Sequence, residues 1–172
     1  NVGIGLGFLE RHLNSESFEV YSLDPSNKIV KEQKKFGIKS KVGFIENQPF
    51  KDEYFDALVL SEVIEHIPVN KLKKAIEESF RVLKKGGLIF VTVPFNEILE
   101  ENTVICPNCG DKFHRWGHHS SFDKAKLNNL FSSKFDIHSL KILAFTEWRL
   151  NLYSLIKNIV KFFLGKFGQA IT

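Results

Sequence analysis

Residues 56–61, Asp-Ala-Leu-Val-Leu-Ser, are a short apolar run bracketed by polar chain. The run lacks the alternation of apolar and polar positions that marks a strand with one face in water. It reads instead as a strand buried on both faces, the environment of a parallel sheet covered by helices. A second run of β formers, residues 88–93, ends at Pro94. Between the two, Leu72, Ala75, Ile76, Phe80 and Leu83 recur at helical spacing over 70–85, with Asn70 as N-cap and Gly86-Gly87 as the stop. Strand, helix and strand in that order make a βαβ unit. Right-handed crossovers wind such units into a layered sandwich.

The same rhythm extends to either side. Residues 1–7 read as a strand end running into a glycine-rich turn, 8–13 as the start of a helix, and 18–23 as a strand closed by Asp24-Pro25. Residues 26–36 are expected to be helical, with Gly37 at the C-cap, and 42–45 to form a third strand. After Pro94, a helix over 122–131, a long strand over 135–145 and an apolar-rich helix from 150 are expected. A chain of 172 residues, 43% hydrophobic and 26% charged, suits one globular domain and excludes general disorder. The fold class is therefore α/β: a Rossmann-like, doubly wound, mostly parallel sheet flanked by helices. It is expected as one domain over 1–172, with an insert at 100–121 and an amphipathic helix at 150–168. The chain opens at Asn1 without a Met, so its first strand is read as truncated.

In such sheets ligands lie outside the carboxyl ends of the strands. Gly3, Gly5 and Gly7 follow the first strand, where glycine allows positive φ and close approach to the backbone. Asp24 ends the second strand about twenty residues on, where a carboxylate can accept both ribose hydroxyls of an adenosine. Residues 49–56 precede the apolar strand, Ser61-Glu62-Val63-Ile64-Glu65-His66-Ile67 follows it, and Arg81-Val82-Leu83-Lys84-Lys85-Gly86-Gly87 leads into the next.

In this order and spacing the five segments resemble the class I S-adenosylmethionine-dependent methyltransferases, tightly over 1–94 and loosely beyond. The resemblance implies methyl transfer from S-adenosylmethionine to a small-molecule acceptor, such as a sugar, polyprenyl or other biosynthetic intermediate. It places Gly3, Gly5 and Gly7 along the methionine and ribose, and Asp24 on the ribose hydroxyls with Pro25 and Ser26 beside it. Phe44 and Ile45, ending the third strand, fall at the adenine, and Ser61 and Glu62 beneath the sulfonium. His66, with an ordinary pKa near neutrality, is the candidate base, with Glu62 as a second catalytic candidate. Two positions depart from the family pattern. Asn1 stands where an acidic residue often binds the cofactor's amino group, and Phe44 where one often reads the adenine amine. Two other readings are a nicotinamide-dependent oxidoreductase and a noncatalytic, zinc-bearing module on the same fold.

Within the insert, Cys106, Cys109, His114 and His119 have the compact spacing of a zinc knuckle, with His118 as an alternative fourth ligand. The insert follows a strand and so lies over the substrate side. His114, Arg115 and Trp116 are thus candidates for a substrate-facing lid, Trp116 by stacking and Arg115 by meeting a carboxylate or phosphate. In the last helix, Leu152, Leu155, Ile156, Ile159, Phe163 and Phe167 line one face, and Lys157, Lys161 and Lys166 interrupt it. It is expected to be core or a dimer contact rather than a membrane span, with contact to a membrane surface as the lesser alternative. A net charge of +4 from scattered Lys reads as a solvated surface, with no nucleic-acid partner expected. No signal-peptide pattern is seen, and the expected compartment is the cytoplasm.

Overall fold

The computed structural model describes residues 1–16 and 18–143. Its elements are α1 (Phe8–Ser15), β1 (Tyr21–Asp24), α2 (Asn27–Lys35), β2 (Lys39–Val42), β3 (Phe55–Ser61), α3 (Val69–Val82), β4 (Leu83–Thr92), β5 (Thr103–Ile105), β6 (Lys112–His114) and α4 (Lys124–Phe131). β1 pairs with β2 and β3 with β4, both in parallel. Val2 joins the two pairs by bridging Leu23 on one side and Leu60 on the other. Its N–H donates to the Val59 carbonyl at 3.0 Å, and Leu23 N–H donates to the Asn1 carbonyl at 2.9 Å. The order is thus β2, β1, the 1–3 segment, β3, β4. Winding reverses at the 1–3 segment, which is the switch point where α/β sheets bind ligands. This is the doubly wound α/β fold expected.

The apolar run in β3 is buried as its composition requires, with Leu58, Val59 and Leu60 all inside. Leu23, Ile64, Ile76 and Val82 pack into the same core. On α3 the inward stripe is Leu72, Ala75, Ile76, Ser79 and Val82. Ser79 fits because its hydroxyl donates to the Ala75 carbonyl at 2.8 Å. Phe80, expected in this stripe, sits at its flank, 49% exposed, with its ring 5.6 Å from Phe135.

Several boundaries differ from the sequence reading. α3 starts at Val69 with Pro68 at the N-cap, so Asn70 does not cap it. It ends at Val82, not Lys85, because the loop before β3 takes its last carbonyls: Glu53 N–H donates to Arg81 O and Tyr54 N–H to Val82 O, both at 2.9 Å. β4 then begins at once. Phe55 pairs with Leu83 but Ala57 with Leu88, and the intervening bulge needs Gly86 at φ +73°. The third strand lies at Lys39–Val42, earlier than expected, since the chain turns where Asn47 N–H donates to Phe44 O at 3.1 Å. α4 begins at Lys124 rather than at 122, because Asp123 caps it by accepting from Lys126 N–H at 2.7 Å. Residues 135–143 carry no strand. Phe135 packs on Phe131 and Phe80 instead. The end of that expected strand and the helix at 150–168 lie outside the described residues.

Candidate functional site

The turn after Asn1 is built from three left-handed glycines, Gly3 at φ +75°, Gly5 at +55° and Gly7 at +69°. A Cβ on Gly3 would come within 2.5 Å of Val63 and one on Gly7 within 2.1 Å of Gln33, whereas one on Gly5 would meet nothing within 4 Å. Two glycines therefore serve packing, and the third borders open space. Asp24, only 6% exposed, lies under the turn. Its Oδ2 accepts from Ile4 N–H at 3.0 Å and its Oδ1 from Ser26 N–H at 2.8 Å. Ser26 in turn caps α2, accepting from Ile29 N–H at 3.4 Å, and Pro25 sets the corner. One carboxylate thus ties the glycine turn to the start of α2, and each oxygen keeps a lone pair for a hydroxyl donor.

Asn1 donates its amide N–H to Glu10 Oε1 at 2.5 Å and to the Gly3 carbonyl at 3.2 Å, and its Oδ1 is buried without a partner. Buried Glu10, which the sequence reading did not single out, thus places a carboxylate directly beside Asn1. Phe44 and Ile45 do not end a strand. Ile45 belongs to the core, and Phe44 stands 59% exposed with Lys71 Nζ 5.8 Å from its ring centre.

At the carboxyl end of β3, Ser61 and Thr92 hydroxyls meet at 3.0 Å, and Thr92 donates to Glu62 Oε1 at 2.8 Å. Glu62 holds φ +54°, in the left-handed region that non-glycine residues adopt uncommonly. Its turn directs a 3-10 segment, Ile64–His66, across the sheet edge. There Glu65 is fully buried, and neither carboxylate oxygen has a hydrogen-bond partner. Burial first, then the charges of Glu62 and Glu97 and the neighbouring Glu62 side chain, pushes its carboxyl up to about 8, against the opposing effect of its own backbone N–H. Burial first, then the His118, His119 and His114 rings, holds His66 below its ordinary pKa, with a hydrogen bond to the Gly117 backbone opposing them. His66 is accordingly neutral at physiological pH.

The insert folds back onto this segment. Phe95 bridges Phe122, Asn96 N–H donates to Phe122 O at 2.9 Å, and His119 N–H donates to Glu65 O at 2.7 Å. The antiparallel pair β5–β6 forms the outer part. The expected set of Cys106, Cys109, His114 and His119 is not assembled. His114 pairs with Thr103 in the hairpin, whereas Cys106 lies past Ile105 at the tip. Three strand residues separate the two ends by about 10 Å. The tip is closed by Gly110 N–H on Cys106 O at 2.9 Å, and the N–H groups of Cys109 and Asn108, with the Cys109 side chain, hold the Cys106 thiol below its ordinary pKa. The His119 side chain is exposed.

Among the described residues, two other trios bring potential ligand atoms within 4.8 Å of one another: Glu65, His66 and His118, and Glu97, His114 and His118. Glu97 Oε2 is hydrogen-bonded to His118 Nδ1, and its Oε1 faces His114 Nε2 at 3.3 Å. His118 therefore joins the site as the sequence's alternative ligand, while Glu65 and Glu97 were missed. The one available signal for Glu65 was its place directly before His66. Arg115 and Trp116 lie on the outside, the guanidinium 5.8 Å from the centre of an indole that is 54% exposed.

Residues 1–91, more than half of the chain, match a family model described as a methyltransferase domain. The chain belongs to this methyltransferase domain family, on the Rossmann-like fold of the class I S-adenosylmethionine-dependent enzymes. The family match sets aside the nicotinamide-dependent reading. An uncharacterised protein of Methanocaldococcus jannaschii is 32% identical over 144 residues, covering 84% of this chain and 62% of its own length. A mitochondrial ubiquinone biosynthesis O-methyltransferase of Rattus norvegicus is 36% identical over 102 residues, covering 54% of this chain and 29% of the rat protein. This chain therefore spans less than two thirds of either relative. The crystal structure of a SAM-dependent methyltransferase from Methanosarcina mazei superposes with a TM-score of 0.62 at 19% identity, over 77% of this chain and 76% of that one.

Proposed function

We propose that this domain transfers a methyl group from S-adenosylmethionine to a small-molecule acceptor. The observation that carries the reading is Asp24, a buried carboxylate with spare lone pairs at the base of a glycine turn that opens at Gly5. The residues present fit the cofactor. The orphaned Asn1 Oδ1 suits an ammonium donor, Asp24 suits vicinal hydroxyls, and the exposed Phe44 ring suits a purine face. The cofactor supplies the chemistry as an activated sulfonium methyl. The protein aligns the acceptor and excludes water. Ser61, Glu62 and His66 at the end of β3 form the acceptor side, where neutral His66 offers a lone pair. Trp116 and Arg115 on the insert face incoming substrate. The rat relative's name identifies it as an O-methyltransferase of ubiquinone biosynthesis, which supports a hydroxyl acceptor on a ring or polyprenyl compound.

Calorimetric titration of S-adenosylhomocysteine tests this. One saturable site per chain is expected, with affinity at least about tenfold weaker in Asp24→Ala, a loss of one or more charged hydrogen bonds. No binding to protein that is folded by circular dichroism overturns the reading. Binding without turnover on phenols, sugars or polyprenyl compounds favours the noncatalytic module. Labelled methyl appearing in tRNA instead of these compounds overturns the small-molecule acceptor.

A further inference from the structure

We propose that Glu65, His66 and His118 bind one divalent transition-metal ion. This goes beyond the methyl-transfer reading, because the site lies outside the glycine turn and does not use Asp24. Three observations carry it.

The first is Glu65 itself. A fully buried carboxyl group with no hydrogen-bond partner for either oxygen is a costly arrangement, and it becomes a ligand when a cation displaces its proton. Its ligand atom lies within 4.8 Å of those of His66 and His118.

The second is the orientation of the two imidazoles. Glu97 Oε2 is hydrogen-bonded to His118 Nδ1, which fixes the ring proton there and leaves Nε2 with its lone pair. The plane of the His66 ring lies 80° from that of His118, with centroids 4.7 Å apart. His118 is held as metal-binding histidines commonly are, with the nitrogen away from the metal engaged by a carboxylate.

The third is the support behind Glu97. Its Oε1 accepts from Asn102 Nδ2 at 2.9 Å and faces His114 Nε2. Trp116 N–H and His118 N–H point at His114 Nδ1 at 3.4 and 3.2 Å, which places the His114 ring proton on Nε2, and Nε2 is buried without a hydrogen-bond partner.

Two imidazoles and one carboxylate suit Zn²⁺, Mn²⁺ or Fe²⁺ and leave coordination positions open. Mg²⁺ and Ca²⁺ prefer oxygen shells and fit less well. The cysteine pair at the hairpin tip is no part of this site. If the methyl-transfer reading holds, His66 is a ligand rather than the base, and an ion held by Glu65, His66 and His118 would supply Lewis acidity to an acceptor hydroxyl.

The test is calorimetric titration of Zn²⁺ and Mn²⁺ into chelator-treated protein, beside absorption spectra of the Co²⁺-loaded wild type. One ion per chain is expected, with affinity at least about tenfold lower in His118→Ala and Glu65→Gln and unchanged in the Cys106→Ser/Cys109→Ser double variant. Visible cobalt bands without a thiolate charge-transfer band are expected in the wild type, a readout that does not depend on any variant folding. Absence of saturable binding overturns the site, as does binding that persists in His118→Ala but is lost in the cysteine double variant, or a strong thiolate band. S-adenosylhomocysteine titrated into the same preparations separates this outcome from failure of the methyltransferase reading.

Discussion

Asp24 holds Ile4 in place: its Oδ2 accepts the Ile4 N–H at 3.0 Å across a gap of twenty residues, while Oδ1 holds Ser26. Removing the carboxylate leaves two N–H groups unpaired, at about 1–3 kcal/mol for a buried group. Asp24→Ala is therefore expected to lower the denaturant midpoint even without cofactor. Asp24→Asn, which keeps one acceptor, should lose less. Equal stability of all three proteins would show that the turn holds itself.

Gly3 and Gly5 share a left-handed conformation but not their surroundings. An alanine at Gly5 meets open space and should cost only the backbone term, about 1–2 kcal/mol. At Gly3 the new methyl also strikes Val63, so Gly3→Ala should be the more damaging change in thermal melts. Trimming the obstacle in Gly3→Ala/Val63→Ala should recover part of the loss, beyond the sum of the single changes. Strict additivity would mean that strain alone matters at Gly3.

Glu78 is nearly buried and meets Arg81 at 2.7 Å, while Gln48 N–H donates to it at 3.1 Å. The Arg81 guanidinium holds the Glu78 carboxyl below its usual range, against the opposing effect of burial. A depressed carboxylate contributes stability that is complete above its unfolded pKa, about 4.3, and that is lost as pH falls through the lower folded value. Glu78→Gln should thus be less stable than wild type at neutral pH. The two denaturation curves should converge in acid. A gap that stays constant down to strongly acid pH would exclude this linkage.

Glu65→Leu should raise the stability of chelator-treated protein, by about 1–3 kcal/mol, because it replaces an unpaired buried carboxyl with an apolar side chain of similar size. The same change should abolish the metal-dependent rise in melting temperature. A lower midpoint in chelator would reveal a partner for Glu65 that the geometry does not show.

The sheet was legible from sequence because both-face burial leaves a mark in composition, as in Leu58 to Leu60, and because glycine and Asp-Pro punctuate the chain. The ends of α3 were not, since they depend on remote groups: Glu53 and Tyr54 N–H end the helix by taking its carbonyls. In the candidate site, residues next to strand ends, Asp24 and His66 among them, were found by position alone. Glu10, Glu65 and Glu97 were missed because a glutamate declares itself only when folding buries it against distant partners. The cysteine pairing with His114 failed for a related reason. Linear spacing suggested a knuckle, but hairpin register put the two at opposite ends.

Phe95 and Phe122 stand side by side, so the chain leaves the sheet for the insert and rejoins it at one place. A detour with coincident ends can lengthen, shorten or be exchanged at little entropic penalty, since closure entropy grows only with the logarithm of length. The glycine turn and Asp24 lie in a different part of the fold and need not change with it. The chain can therefore lengthen, shorten or replace this detour while the sheet, the glycine turn and Asp24 keep their geometry.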